Sequence, residues 1–183
     1  MVPIRIQVQG KLIPRKFVSD AGHAVVVARS STDPVSLSDK PGYTNEGKAA
    51  DALCTVDFSQ GPNESLTAFF ERRIAYIYAG AIAEAAFEVT DDDVERHVLW
   101  LLEHDDDTDG PLVARICDFE MKALGITENE INSVRQNAWR SALSVVMENK
   151  DSIARVATAF HSRHELSNEQ IRALLDPLGQ SRS

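Results

Sequence analysis

The sequence lacks a long uninterrupted hydrophobic run. Its longest nearly apolar stretch, Ile74 to Phe87, contains Glu84 and is too short to cross a bilayer, so it predicts a buried core helix and no membrane segment. No basic segment followed by an apolar run stands at the start of the chain, so we expect no signal peptide and a cytoplasmic location. Only two cysteines are present, Cys54 and Cys117, and neither stands in a CxxC motif. We expect both to be reduced, buried thiols with a structural role.

Basic patches and phosphate-binding loops are also missing. The net charge is −9, and the segment from Glu88 to Asp109 holds ten acidic residues and one arginine. Without a basic surface to neutralise phosphates, nucleic acids and anionic membranes are disfavoured as partners. Gly47 and Lys48 are followed by alanine, where a phosphate loop needs serine or threonine, so no ATP site is predicted.

The hydrophobic pattern predicts a mainly α protein with a small β element, an α+β class. Ile4 to Ile13 alternates weakly and predicts a strand or extended arm, and a helix follows from about Pro14 to Ala28. One domain is expected over 1–179. It should consist of a strand and a helix in 1–30, loops and one or two short strands in 31–63, and helices in 64–176. A disordered tail is expected after it, in 180–183.

Several residues predict where the later helices begin and which side chains they bury. Thr127 with Glu130, and Ser167 with Gln170, have the spacing of capping boxes, so a helix should start at each pair. A helix is also expected over Asp92 to His104. The two tryptophans, Trp100 and Trp139, lie in helical patterns and are expected in the core, and three histidines are expected at the surface: His104, His161 and His164.

The most specific local pattern is VSDAGHAVV, from Val18 to Val26. It resembles HEAGHAVV, the zinc helix of FtsH-type metallopeptidases. There, two histidines four residues apart hold Zn²⁺ from one helix face, and the glutamate between them activates a water. Other segments resemble the family in the same order: DPV at 33–35, PGYT at 41–44, AGAIAE at 79–84, DVER at 93–96, and the last helices at 153–175. The likeness covers about Phe17 to Asp176, without the ATPase and membrane segments of the full proteases.

This resemblance implies a role for four positions. His23 matches the second zinc histidine and Asp93 the acidic ligand, whereas Ser19 stands where the first histidine should be and Asp20 at the general-base position. A serine hydroxyl is a poor zinc ligand. The shorter aspartate would hold its carboxylate about 1.5 Å further from the water, and a displacement near 1 Å costs about 100-fold in rate. We therefore expect an impaired peptidase that binds zinc weakly or not at all.

Three functions remain open at this point. The first is a pseudopeptidase that binds a peptide or protein partner in a cleft between the helices of Lys16–Ala28 and Asp92–His104, with residues 35–60 along its rim adding an extended peptide as a strand. The second is an active metallopeptidase with a rearranged ligand set, in which His97, one turn after Asp93, replaces the lost histidine. The third is an interaction domain whose acidic segment, Glu88 to Asp109, binds a basic partner.

Two acidic features have alternative interpretations. Glu84, in the predicted core helix, would orient a histidine ligand, form an ion pair, for example with Arg72 or Arg73, or be partly exposed. Asp105, Asp107, Asp109 and Gly110 match the first part of an EF-hand loop. Ile116 stands where that loop needs its bidentate glutamate, so an acidic interhelical turn is the favoured interpretation.

Overall fold

A computed structural model describes residues 5–40, 42–43, 49–50, 53–104 and 109–175. The chain is mainly helical with small antiparallel sheets, which confirms the predicted fold class. Seven α-helices are described: α1 (Arg15–Ser30), α2 (Leu66–Glu88), α3 (Val94–His104), α4 (Asp109–Arg115), α5 (Glu128–Glu148), α6 (Lys150–Arg163) and α7 (Asn168–Leu175). A 3-10 turn, Asp91–Asp93, precedes α3, and a π-helical turn, Ile116–Met121, extends α4.

The described strands form three small antiparallel sheets. Their bounds are β1 (Arg5–Val8), β2 (Lys11–Pro14), β3 (Val35–Ser38), β4 (Gly42–Tyr43), β5 (Ala49–Ala50), β6 (Leu53–Val56) and β7 (Glu165–Leu166). β1 pairs with β2, β4 pairs with β5, and β3 lies between β6 and β7. The prediction of one strand or extended arm over Ile4–Ile13 missed a turn: Gln9 and Gly10 take positive φ angles and turn the chain into a hairpin.

The core is organised around α2. Its alanine-rich second half is almost wholly buried, and it packs against α1, α3 and α5. The small side chains let these helices approach closely, so the predicted core helix over Ile74–Phe87 is confirmed. α1 has α2 on one side and α6, β3 and β6 as further neighbours. The resemblance implies a cleft between α1 and α3. Both of these helices pack against α2.

The predicted helix starts are confirmed by their hydrogen bonds. The Thr127 hydroxyl and the Glu130 carboxylate form a complete capping box at the start of α5. At α7 the Ser167 amide donates to the Gln170 side chain, and the Gln170 amide donates to the Ser167 hydroxyl. These caps satisfy amides that the first turn of a helix leaves without partners.

Some predictions lie outside the described residues, and one side chain differs from its prediction. The tail at 180–183 and residues 105–108 of the acidic loop are outside. Trp139 is partly buried against the core as predicted, whereas Trp100 is 52% exposed, so its prediction as a core residue is wrong.

None of the helices within the described ranges combines the length and the apolar character that a bilayer span requires.

Candidate functional site

One face of α1 is polar although most of the helix is buried. Arg15, Ser19 and His23 follow one another at four-residue intervals and therefore share this face. Ser19 and His23 are each only 9% exposed. The structure thus brings together two of the positions to which the resemblance assigns a role, Ser19 and His23.

A complementary face of α2 lies opposite. Glu84 pairs with Arg15 at one end of this contact, and the backbone of Tyr76 meets His23 at the other. Residue numbers rise along one helix as they fall along the other, so the two helices run antiparallel. We call this contact the α1–α2 seam, formed by Arg15, Ser19, His23, Tyr76, Gly80 and Glu84.

Gly80 allows the close approach at the centre of the seam. A Cβ atom placed on Gly80 would lie 2.4 Å from Nε2 of His23 and 2.6 Å from Oγ of Ser19. Gly22 plays the same part on α1, since a Cβ atom there would lie 2.4 Å from Cβ of Ala83. Neither position accommodates a side chain without movement of its neighbours, because buried atoms are already closely packed.

The hydrogen bonding of His23 defines its tautomer. Its Nδ1 lies 2.6 Å from the carbonyl oxygen of Tyr76, and a carbonyl only accepts, so Nδ1 carries the proton and donates it. In the neutral ring, Nε2 then presents a lone pair on the side of Gly80 and Ser19. In many metal-bound histidines, the ring nitrogen that does not bind the metal likewise donates to a carbonyl oxygen. The ring of Tyr76, 4.6 Å away between centroids, covers part of the imidazole.

Charged side chains occupy the other end of the seam. The Arg15 guanidinium pairs with Glu84, and their side chains are 15% and 6% exposed. Arg15 also lies 3.6 Å from a carboxylate oxygen of Glu88. Glu84 therefore forms an ion pair, but the two partners predicted for it were wrong: Arg72 pairs with Asp33 and Glu64, and Arg73 pairs with Glu120.

Asp20, to which the resemblance assigns the general-base position, acts through its charge on a buried thiol. Burial raises the pKa of Cys54 well above its ordinary value of 9.0, and the charge of Asp20 raises it further, while a hydrogen bond from Tyr76 lowers it. A neutral, buried thiol is a poor nucleophile. Cys54 and Cys117 are both buried and free, as expected for structural cysteines.

The described hydrogen bonds of Asp93 are with residues three positions away in the sequence. It follows α2 in the 3-10 turn before α3, and its side chain is 42% exposed. One carboxylate oxygen accepts a hydrogen bond from the Thr90 hydroxyl at 3.0 Å, and the other accepts one from Arg96 at 2.6 Å. A carboxylate held this way stabilises the start of a helix, where negative charge is favoured.

His97 is held by two neighbouring side chains. Its Nε2 lies 2.8 Å from the Glu88 carboxylate, and its ring stacks on Trp100 with 5.8 Å between centroids. Within the described part of the chain, no three or more His, Cys, Asp and Glu side chains are grouped so that they could hold a metal ion. Together with the hydroxyl at Ser19 and the Arg96 contact of Asp93, this arrangement does not fit a three-ligand zinc centre.

In the sheet that the described strands form with β3 at its centre, β6 is an edge strand, and it lies beside the seam. The Asp57 amide donates to the Pro34 carbonyl at 3.2 Å, and hydrogen-bonded pairs alternate along an antiparallel ladder. The backbone groups of Cys54 and Val56 must therefore point away from β3. The Tyr76 hydroxyl donates to the outward Cys54 carbonyl at 3.1 Å. Tyr76 thus connects His23 to the outer edge of this strand.

Sequence reasoning missed Arg15, Tyr76 and Gly80. The spacing of Arg15 before Ser19 and His23 was the available signal, because four-residue steps mark one helix face. No protein-family profile matches the sequence, and no curated protein matches it. The residues of the seam and of the strand edge beside it are therefore what indicates a function.

Proposed function

We propose that this chain is a peptide-binding pseudopeptidase, with the fold of FtsH-type metallopeptidases and without their catalysis. The observation that carries this proposal is the packing of His23. Its imidazole is 9% exposed and lies between the Tyr76 carbonyl and Gly80, with a serine hydroxyl at the position of the first ligand. In this role the histidine contributes to helix packing.

The surrounding charges support a role without a zinc-bound water. A catalytic zinc keeps three protein ligands and one open position. Ser19 contributes a neutral hydroxyl, and the Asp93 carboxylate is bound by Arg96. Asp20 is near enough to the buried Cys54 for its charge to act on that thiol. These groups do not favour hydrolysis by a zinc-bound water.

The outer edge of β6 is the proposed peptide-binding surface. An extended peptide joins an exposed strand edge through main-chain hydrogen bonds, which give affinity with little dependence on sequence. Val56 directs its amide and carbonyl outward, whereas the Cys54 carbonyl already accepts from Tyr76. The free thiols Cys54 and Cys117 suit a reducing compartment, so we place this binding in the cytoplasm.

A proline at Val56 tests the proposal. Val56→Pro removes the outward amide and leaves the hydrogen bonds between β3 and β6 intact. Val56→Ala is the matched control, because it shortens the side chain and keeps the amide. Fluorescein-labelled casein, followed by fluorescence anisotropy, serves as the extended probe. We expect about tenfold weaker binding for the proline variant, the loss of roughly 1.4 kcal/mol, and near wild-type binding for the alanine variant.

Two results would contradict this function. Equal binding by Val56→Pro and Val56→Ala would show that the outer edge of β6 does not bind the peptide. Cleavage of the labelled casein by the wild-type chain, abolished by a chelator and by His23→Ala, would establish the alternative of an active metallopeptidase.

A further inference from the structure

The outer face of α3 presents large apolar side chains to solvent. Leu99 and Trp100 are 55% and 52% exposed, although the same helix buries Val94 and Val98 against the core. Glu95, one turn before Leu99, is exposed as well. Exposed tryptophan and leucine bordered by charges are typical of protein contact surfaces, where tryptophan often contributes much of the binding energy.

Trp100 is held in place before any partner arrives. Its ring stacks on His97 with an interplanar angle of 11°, and His97 is held in turn by Glu88 at 2.8 Å. An ordered side chain loses less conformational entropy on binding than a mobile one. This tryptophan is therefore suited to anchor a partner.

The charge around this face is negative. Asp91 pairs with Lys150 and Asp93 with Arg96, but neither Asp92 nor Glu95 forms an ion pair with a basic side chain in the described ranges. Both carboxylates are exposed. The charge count of the segment from 88 to 109, ten acidic residues against one arginine, points the same way.

We propose that this face of α3 docks a basic amphipathic helix of a protein partner. The apolar side chains of that helix would cover Leu99 and Trp100, and its lysines or arginines would meet Asp92 and Glu95. A second copy of this chain would bring the same negative charge, and an anionic surface would be repelled, so charge selects a basic partner. The surface is separate from the β6 edge and does not depend on the proposed peptidase-like role.

A synthetic helical peptide tests this surface. The probe is a fluorescent peptide of leucine and lysine in amphipathic helical order, and its control is the same composition in scrambled order. We expect Trp100→Ala and Leu99→Ala each to weaken binding of the ordered peptide by about tenfold. Leu124→Ala, which alters a similarly exposed leucine (56%) beyond α4, should bind as the wild type does.

The charges are tested with a double variant. Asp92→Asn with Glu95→Gln should weaken binding at low salt, and this difference should disappear at about 1 M salt because charges are screened there. Equal affinity of the scrambled peptide, or equal affinity of Trp100→Ala and Leu124→Ala, would overturn the proposal. Failure of the ordered peptide to bind the wild type at low salt would overturn it too.

Discussion

Nδ1 of His23 lies 2.6 Å from the carbonyl oxygen of Tyr76, while a Cβ atom on Gly80 would approach Nε2 of the same ring to 2.4 Å. One helix, α2, therefore contacts both nitrogens of this imidazole. The contact connects the polar face of α1 to the core and, through the Tyr76 hydroxyl, to the Cys54 carbonyl on strand β6.

The first prediction concerns the space at Gly80. Gly80→Ala should lower the free energy of unfolding by about 1–2 kcal/mol. The new methyl group must displace His23 or Ser19, and the cost of that displacement exceeds the gain of about 1 kcal/mol from helix propensity. Urea unfolding followed by circular dichroism measures the change. Gly61→Ala is the control, since its Cβ would lie 3.5 Å from Cβ of Glu64, an ordinary contact. An unchanged midpoint in Gly80→Ala would show that the seam is loosely packed.

The second prediction concerns the ion pair at the end of the seam. Arg15→Met should lower the free energy of unfolding by about 3 kcal/mol, because it leaves the buried Glu84 carboxylate without its guanidinium. Adding Glu84→Leu should restore most of that loss, since two apolar side chains replace the pair. Urea unfolding of both variants measures these changes.

Arg73 provides the comparison for that pair. Its bond with Glu120 is more exposed, at 25% and 34% of the two side chains. Arg73→Met should therefore cost less than about 1 kcal/mol, as solvent screens the interaction. A cost for Arg15→Met no larger than that for Arg73→Met would refute a buried pair at the seam.

The third prediction concerns the alkaline stability of the fold. Burial holds the pKa of Cys54 well above 9.0, so the folded thiol keeps its proton when the unfolded thiol loses its own. The unfolded chain then binds fewer protons, and the free energy of unfolding falls as pH rises above 9.0. Urea unfolding at about pH 8 and pH 10, on either side of the ordinary thiol pKa, measures that fall. The fall should shrink in Cys54→Ala; an equal fall in the variant would show that other groups cause it.

Local signals in the sequence predicted the helices well. Thr127 and Glu130 identified the start of α5 because a capping box satisfies specific amides. The alanine-rich stretch of α2 predicted a buried helix, and the helix predicted from about Pro14 to Ala28 corresponds to α1. The positions of Ser19 and His23 on one helix face also followed from spacing alone.

Features that depend on distant contacts were not predictable in this way. The pairing of β7 with β3 joins residues far apart in the sequence over only two positions, which leaves no periodic pattern to read. Gln9 adopts a positive φ angle, which few residues other than glycine take, so the hairpin had no strong turn signal. The partner of Glu84 depended on how α1 packs on α2, and residue type alone does not distinguish Arg15 from Arg72 or Arg73.

Zinc uptake by the wild-type chain tests the central claim most directly. Purified protein and His23→Ala are dialysed against Zn²⁺, the bound metal is counted per chain, and labelled casein is then added to measure hydrolysis. Because Ser19, His23 and Asp93 do not assemble three ligands, the account predicts that both proteins retain the same substoichiometric zinc and that neither cleaves casein. One zinc per wild-type chain, lost in His23→Ala and accompanied by cleavage, would contradict it.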